Sequence, residues 1–165
     1  LHSKITEEQR NRESIAKTSA ESLLTIINEI LDFSKIEADK LELEILEFNL
    51  QDMLGEFIQS MALTAQIKGL ELILDTSSID NKIVKSDPGR IRQILTNIVG
   101  NAIKFTETGE VVVCVSISPI SGEGRYLKMD CKVTDTGIGI PKDKQNHLFD
   151  SFSQVDASTT RKYGG

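Results

Sequence analysis

Apolar side chains recur at three- and four-residue steps through the first part of the chain, at Ile15, Leu23, Ile26, Ile27, Ile30, Leu31 and Phe33. That spacing predicts one long amphipathic helix. Thr6 followed by Gln9 supplies a capping box at its start. The stripe is wide enough to pack on more than one neighbour and suits a coiled-coil-like seam. One helix cannot cover such a stripe alone, so the pattern calls for a packing neighbour. Docking on the remainder of the chain would cover the same residues.

The pattern then changes. Residues 40–47 alternate leucine or isoleucine with acidic residues and read as a strand or a linker. Asn49 caps a second amphipathic helix through Leu50, Met53, Leu54, Phe57, Ile58 and Met61, which ends near Gly69. Residues 71–75 and 83–86 read as short strands. Asp87 and Pro88 give an N-cap and a first-turn proline for a third helix, with Ile91, Leu95, Ile98, Ala102 and Phe105 as its core sector. Gly109 opens a strand with Val111, Val113, Val115 and Ile117 on one face. A loop over 118–125 turns the chain into a further strand, in which Leu127, Met129, Cys131 and Val133 alternate with Lys128, Asp130, Lys132 and Thr134. Strands and helices in this order imply an α+β fold, with helices layered on one face of a mixed sheet.

Two polar constellations stand out against that frame. At about 100° per residue, Asn97, Asn101 and Lys104 fall within roughly 60° of one another on the third helix. Amide oxygens suit a hard cation such as Mg²⁺, which keeps waters and borrows phosphate oxygens. The lysine offers a point charge for those phosphates. A solvated helix face has the same pattern. The second constellation is Asp135-Thr136-Gly137-Ile138-Gly139-Ile140-Pro141, where a strand runs into a glycine-hinged loop. A carboxylate there can accept the exocyclic amine of adenine, whereas guanine presents a carbonyl at that edge. Gly137 and Gly139 allow backbone approach that side chains would block. Asp-x-Gly-x-Gly is also an ordinary strand-to-loop turn. Neither the dinucleotide fingerprint nor a Gly-x-x-x-x-Gly-Lys-Ser/Thr phosphate loop is present.

Composition narrows the classes. A net charge of −6 over 165 residues argues against nucleic acid or an anionic membrane as partner. The hydrophobic fraction of 39% is enough to build a core. No apolar run approaches the roughly 18 residues that cross a bilayer, and no signal peptide opens the chain. Cys114 and Cys131 fall on neighbouring strands and read as buried reduced thiols rather than a disulfide.

Taken together, the motifs resemble those of sensor histidine kinases of two-component systems, of the hybrid type. The run from Asp87-Pro88-Gly89-Arg90 through Asn97-Ile98-Val99-Gly100-Asn101-Ala102-Ile103-Lys104-Phe105-Thr106 is similar to that family's asparagine box. Asp135-Thr136-Gly137-Ile138-Gly139-Ile140 is similar to its first glycine box, and Phe149-Asp150-Ser151-Phe152-Ser153-Gln154-Val155-Asp156 to its phenylalanine box. Ser158-Thr159-Thr160-Arg161-Lys162-Tyr163-Gly164-Gly165 resembles its nucleotide lid, and Glu21-Ser22-Leu23-Leu24 with Ile30-Leu31-Asp32-Phe33-Ser34-Lys35-Ile36-Glu37-Ala38 the end of its dimerisation hairpin.

The resemblance implies a GHKL-type (Bergerat) two-layer α/β sandwich over 46–165, C-terminally incomplete, preceded over 1–45 by the second dimerisation helix. It implies ATP and Mg²⁺ as ligands, with Asn97 and Asn101 on the metal, Lys104 on phosphate and Asp135 on the adenine amine. Gly137 and Gly139 would shape the pocket floor. Arg161 and Lys162 would reach phosphate from the lid, and Phe149 and Phe152 would fasten the lid, although ordinary core packing explains two phenylalanines equally well. The implied activity is a protein-histidine kinase passing the γ-phosphoryl group to a histidine and then to an aspartate of a receiver domain or response regulator. A homodimer through the helical stripe, a cytoplasmic location and a parent protein anchored in the inner membrane complete the picture. Gyrase-type relatives carry a water-activating glutamate where Asn97 stands; an amide lacks that basicity, which disfavours hydrolysis.

The departures are as specific. The family's phosphoacceptor lies in a Ser-His-Glu-Leu/Ile-Arg-Thr-Pro pattern that this sequence lacks; His2 and His147 have neither its acidic neighbour nor its proline. The second glycine box and the closing strands are also missing. The segment is therefore expected not to autophosphorylate by itself. The alternative is a non-catalytic dimerisation or interaction module with vestigial nucleotide binding.

Overall fold

The computed structural model describes residues 6–79, 82–120 and 126–145. The chain divides into two compact units, Leu1–Leu43 and Glu44–Gly165. The first contains helix α1 (Glu7–Glu37). Its capping box is formed: the Thr6 hydroxyl accepts from the Gln9 N–H, and the Gln9 side chain accepts from the Thr6 N–H at 2.8 Å. The helix stops in a Schellman turn, with Asp39 at a φ of 53° and the Lys40 N–H donating to the Lys35 carbonyl. Aspartate takes the position usually held by glycine, and the stop agrees with the change of pattern read at residue 40. No residue of α1 is buried, and Ile15, Leu23, Ile26, Ile27, Ile30 and Leu31 all stand exposed.

The second unit contains β1 (Leu46–Asn49), α2 (Leu50–Ile67), β2 (Glu71–Ser78), β3 (Ile83–Ser86), α3 (Pro88–Phe105), β4 (Glu110–Pro119), β5 (Leu127–Asp135) and the short α4 (Lys142–Gln145). β1 pairs antiparallel with β3. The other sheet has the order β2-β4-β5, with β2 parallel to β4 and β4 antiparallel to β5. The mixed sheet follows from connectivity. A helix lies between β2 and β4 and permits a parallel return, whereas only seven residues separate β4 from β5 in sequence, too few for anything but an antiparallel pairing. Of residues 40–47 only Leu46 and Glu47 enter a strand; the rest is linker.

α2 and α3 pack on one face of the three-stranded sheet. Leu50, Met53, Leu54 and Phe57 from α2 meet Leu95, Val99, Ala102 and Ile103 from α3 and Val111, Val113 and Val115 from β4 in one core. Alternation along β4 is as expected, because a half-covered strand buries every second residue. The core sector of α3 is rotated from its expected position. Ile98 is exposed, while Val99 and Ile103 are buried. The choice among adjacent apolar residues is set by where the sheet and α2 stand, which periodicity alone does not fix. Cys131 is a second correction: it is exposed and Cys114 half-buried, both free. β5 ends the sheet among the described residues, and only Met129 and Val133 on it pack against the core. Partial desolvation, and then the neighbouring Cys114, still raise the Cys131 thiol above its ordinary value.

Asn49 caps α2 by accepting from the Gln51 and Asp52 N–H groups. Asp87 does more than cap α3. One carboxylate oxygen accepts from the Arg90 N–H at 2.9 Å and the other from the Glu44 N–H at 3.0 Å, which ties the linker to the start of α3. Those two donors, Arg90 first, hold its carboxyl below the ordinary aspartate range.

Leu54→Ala removes a side chain with no solvent exposure and is expected to cost about 2–5 kcal/mol in denaturant unfolding. Asp87→Ala is expected to lower stability at neutral pH. Because the folded-state carboxyl titrates below the unfolded one, its contribution is complete above the ordinary aspartate value and fades as pH falls through the folded value. Unfolding curves of the two proteins should therefore converge in acid; a gap that persists there would contradict the hydrogen-bond account.

Candidate functional site

α3 carries the first half of the site. Leu95, Val99, Ala102 and Ile103 fix the helix on the core, which leaves Asn97 and Asn101 on the exposed side and Lys104 half-buried. Asn97 and Asn101 lie one turn apart, with the Asn101 amide nitrogen 3.4 Å from the Asn97 oxygen, a long contact at the limit of hydrogen bonding. The Lys104 ammonium stands 5.4 Å from the centroid of the Phe105 ring.

The second half begins where β5 ends. Asp135 is exposed, and its Oδ1 accepts from the Gly137 N–H at 2.9 Å, folding the carboxylate over its own loop. Thr136 fastens the loop to the start of β4: its hydroxyl accepts from the Glu110 N–H at 3.1 Å and donates to the Thr108 carbonyl at 3.0 Å. Gly109 must be glycine there, since its φ is 105° and a Cβ would strike the Thr136 hydroxyl.

The two halves meet at the C-terminus of α3. The Ile138 N–H donates to the Phe105 carbonyl at 3.4 Å. A Cβ on Gly137 would lie 2.6 Å from that same oxygen and 2.8 Å from Asp135 Oδ1, so this glycine is required by close approach. Gly139 takes a φ of 66° in open space, a backbone requirement without a steric one. Asp135, Gly137 and the last turn of α3, with Lys104 on it, are thus brought together. Asn101 and Asn97 lie successive turns back along the same helix, at about 5.4 Å per turn. Phe149, Phe152, Arg161, Lys162, His2 and His147 lie outside the described residues.

One participant was not visible in the sequence. Lys68, the C-cap residue of α2, donates its ammonium protons to the carbonyls of Ile103 at 2.7 Å, Lys104 at 2.8 Å and Thr106 at 3.0 Å. A lysine before a glycine at a helix end reads as a solvated residue, and only the packing of α2 against α3 reveals its target. The hydrogen-bonding roles of Thr106 and Thr136, both within the motifs, are likewise unmarked by any local sequence signal.

The donor set fits a magnesium–nucleotide ligand. Among the described residues no three His, Cys, Asp or Glu side chains cluster to hold a metal, so a protein-only cage is not on offer. Two neighbouring amides fit a cation that takes its remaining oxygens from phosphates and water. A shallow depression among Asp75, Ser78, Cys114, Asp130, Cys131 and Lys132 shares no residue with the site. No helix of the described residues is long and apolar enough to cross a membrane.

The chain is similar to several known proteins. Residues 86–165 match the family described as histidine kinase-, DNA gyrase B-, and HSP90-like ATPase. The chain is 44% identical over 165 residues to the signal transduction histidine-protein kinase BarA of Escherichia coli (strain K12), covering all of this chain and 18% of BarA. It is 40% identical to the hybrid signal transduction histidine kinase L of Dictyostelium discoideum, again over the whole chain and 10% of that protein. The chain therefore spans less than a fifth of the length of these relatives. In structure it is similar to full-length ShkA, crystallised in complex with AMPPNP, with a TM-score of 0.73, 32% identity and coverage of 96% of this chain and 33% of ShkA. Through residues 86–165 the chain belongs to the histidine kinase-, DNA gyrase B- and HSP90-like ATPase family, and along its whole length it is homologous to the corresponding portion of sensor histidine kinases.

Proposed function

We propose that this chain is the ATP-binding portion of a sensor histidine kinase, which holds Mg-ATP for phosphoryl transfer to a histidine and onward to an aspartate of a receiver domain. The observation that carries the reading is the junction at Phe105, where the helix bearing Asn97, Asn101 and Lys104 meets the loop bearing Asp135 and Gly137. Asp135 accepts the adenine amine, and its second oxygen has no partner among the described residues. Gly137 and Gly139 let the loop backbone form the pocket floor. Lys104 neutralises phosphate charge, and Asn97 and Asn101 offer their amide oxygens to Mg²⁺. When bound, that ion supplies charge neutralisation on the triphosphate. Phosphoryl transfer depends mainly on such positioning and neutralisation, and Asn97 cannot act as the base that would turn the site to hydrolysis. By the same resemblance, Arg161 contacts phosphate from the lid, and Phe149 and Phe152 secure it.

The exposed stripe of α1, with residues 1–45 as the second helix of a dimerisation hairpin, serves homodimer formation. The exposure of Ile15, Leu23, Ile27 and Leu31 supports this. The location is cytoplasmic, in a parent protein anchored in the inner membrane. No observation favours the alternative of a non-catalytic interaction module.

Calorimetric titration with an ATP analogue and Mg²⁺ tests the reading. Asp135→Asn, with unchanged circular dichroism, should weaken binding by about 10- to 100-fold, the worth of a hydrogen bond to a charged acceptor. Equal affinity of the variant, or equal affinity of the parent for a guanine analogue, would overturn it. Gly137→Ala forces a Cβ against the Phe105 carbonyl and is expected to cost about 1–3 kcal/mol in denaturant unfolding. A neutral effect would show that the junction is looser than its geometry states.

A further inference from the structure

We propose that Lys68 is a positioning residue of the nucleotide site, acting through the C-terminus of α3; the inference rests on the function proposed above. A helix leaves its last four carbonyls without intrahelical partners. At the end of α3 every one is engaged. The Ala102 carbonyl accepts from the Thr106 N–H at 3.1 Å and from the buried Thr106 hydroxyl at 2.7 Å. Ile103 and Lys104 accept from Lys68, and Phe105 accepts from Ile138. Lys68 then adds Thr106 as its third acceptor. An ammonium has three donors, and here all three are used on one helix end.

The lysine is itself held. α2 ends in a Schellman turn, in which the Leu70 N–H donates to the Ala65 carbonyl at 3.0 Å and the Gly69 N–H to the Gln66 carbonyl at 2.9 Å. Gly69 takes the left-handed φ of 69° that this turn needs. Ala65 and Leu70 are both buried, which pins the turn to the core. The Lys68 backbone is therefore fixed on one side and its ammonium on the other. The positive charge also opposes the negative end of the α3 dipole.

Two consequences bear on the site. One of the three acceptors is the carbonyl of Lys104, so the backbone of the proposed phosphate-contacting residue is held directly. The Phe105 carbonyl, flanked by two of those acceptors, is the atom against which Gly137 and Ile138 pack. Loss of the ammonium frees the last turn of α3 and moves Lys104 and the adenine loop together. Lys68 touches neither nucleotide nor metal in this scheme.

Lys68→Met, Lys68→Arg and Asn49→Ala in the full chain separate positioning from stability. Asn49 caps the opposite end of α2, so its loss weakens the same helix away from the junction. Lys68→Met is expected to weaken the magnesium-dependent affinity for an ATP analogue by about tenfold, the scale of a small misplacement in a preorganised site. Lys68→Arg, which keeps charge and several donors, should recover part of that loss, and Asn49→Ala should bind as the parent does. Without nucleotide, amide resonances of Lys104, Gly137 and Ile138 should shift in Lys68→Met and stay in place in Asn49→Ala. Should Lys68→Met not fold, Lys68→Gln is read in the same way. Parent-like affinity in the lysine variant, or an equal loss in Asn49→Ala, overturns the assignment while leaving the nucleotide site intact. Absence of nucleotide binding by the parent overturns both.

Discussion

The end of α3 is the constraint on which the second unit depends. A helix terminus leaves its last carbonyls without intrahelical partners, and those that pack against other elements must find partners there. This chain meets the need from three directions: Thr106 from the helix itself, Lys68 from α2 and Ile138 from the loop after β5. Satisfying the backbone thus joins the helix with the amide stripe to the strand with the carboxylate. The hydrophobic layer below, with Leu54, Phe57, Val99 and Val113, sets where the two elements lie but does not fix the register of one against the other. The polar contacts at Phe105 supply that register, and Gly137 permits it by having no side chain.

The proposed chemistry rests on this arrangement rather than on any unusual single group. Asp135, Asn97, Asn101 and Lys104 are ordinary surface residue types, and the two asparagines and the aspartate are exposed. Their value lies in being carried on rigid elements that share a fixed junction. Asp87 plays the matching part at the other end of α3, where its two accepted hydrogen bonds fix the entry of the linker. One helix is thereby held at both ends by side chains that do no chemistry. Between those ends its exposed side carries Asn97 and Asn101.

Much of this was legible in the sequence, and the unread part has a physical reason. Period-two alternation marked β4 because one face is buried and the other is not. Caps at Thr6, Asn49 and Asp87 marked helix starts because each is a local interaction between residues close in sequence. The change of pattern at residue 40 marked the stop of α1, although aspartate only occasionally adopts the left-handed φ that Asp39 takes. Ile98 was misplaced because the sheet and α2, distant in sequence, decide which apolar neighbours are covered. Lys68 was invisible for the same reason: its acceptors lie 35 to 38 residues away. The Asn97–Lys104 stripe and the Asp135 loop were each ambiguous by themselves, and the resemblance of successive motifs joined them before the junction did so in space.

The central claim is that α3 and the loop after β5 form one nucleotide site. It is tested most directly by following backbone amide resonances of the chain during titration with an ATP analogue and Mg²⁺. The account predicts that amides from Asn97 to Lys104 and from Asp135 to Gly139 shift together, with one dissociation constant. Shifts confined to one of the two segments, or two unequal constants, would contradict it.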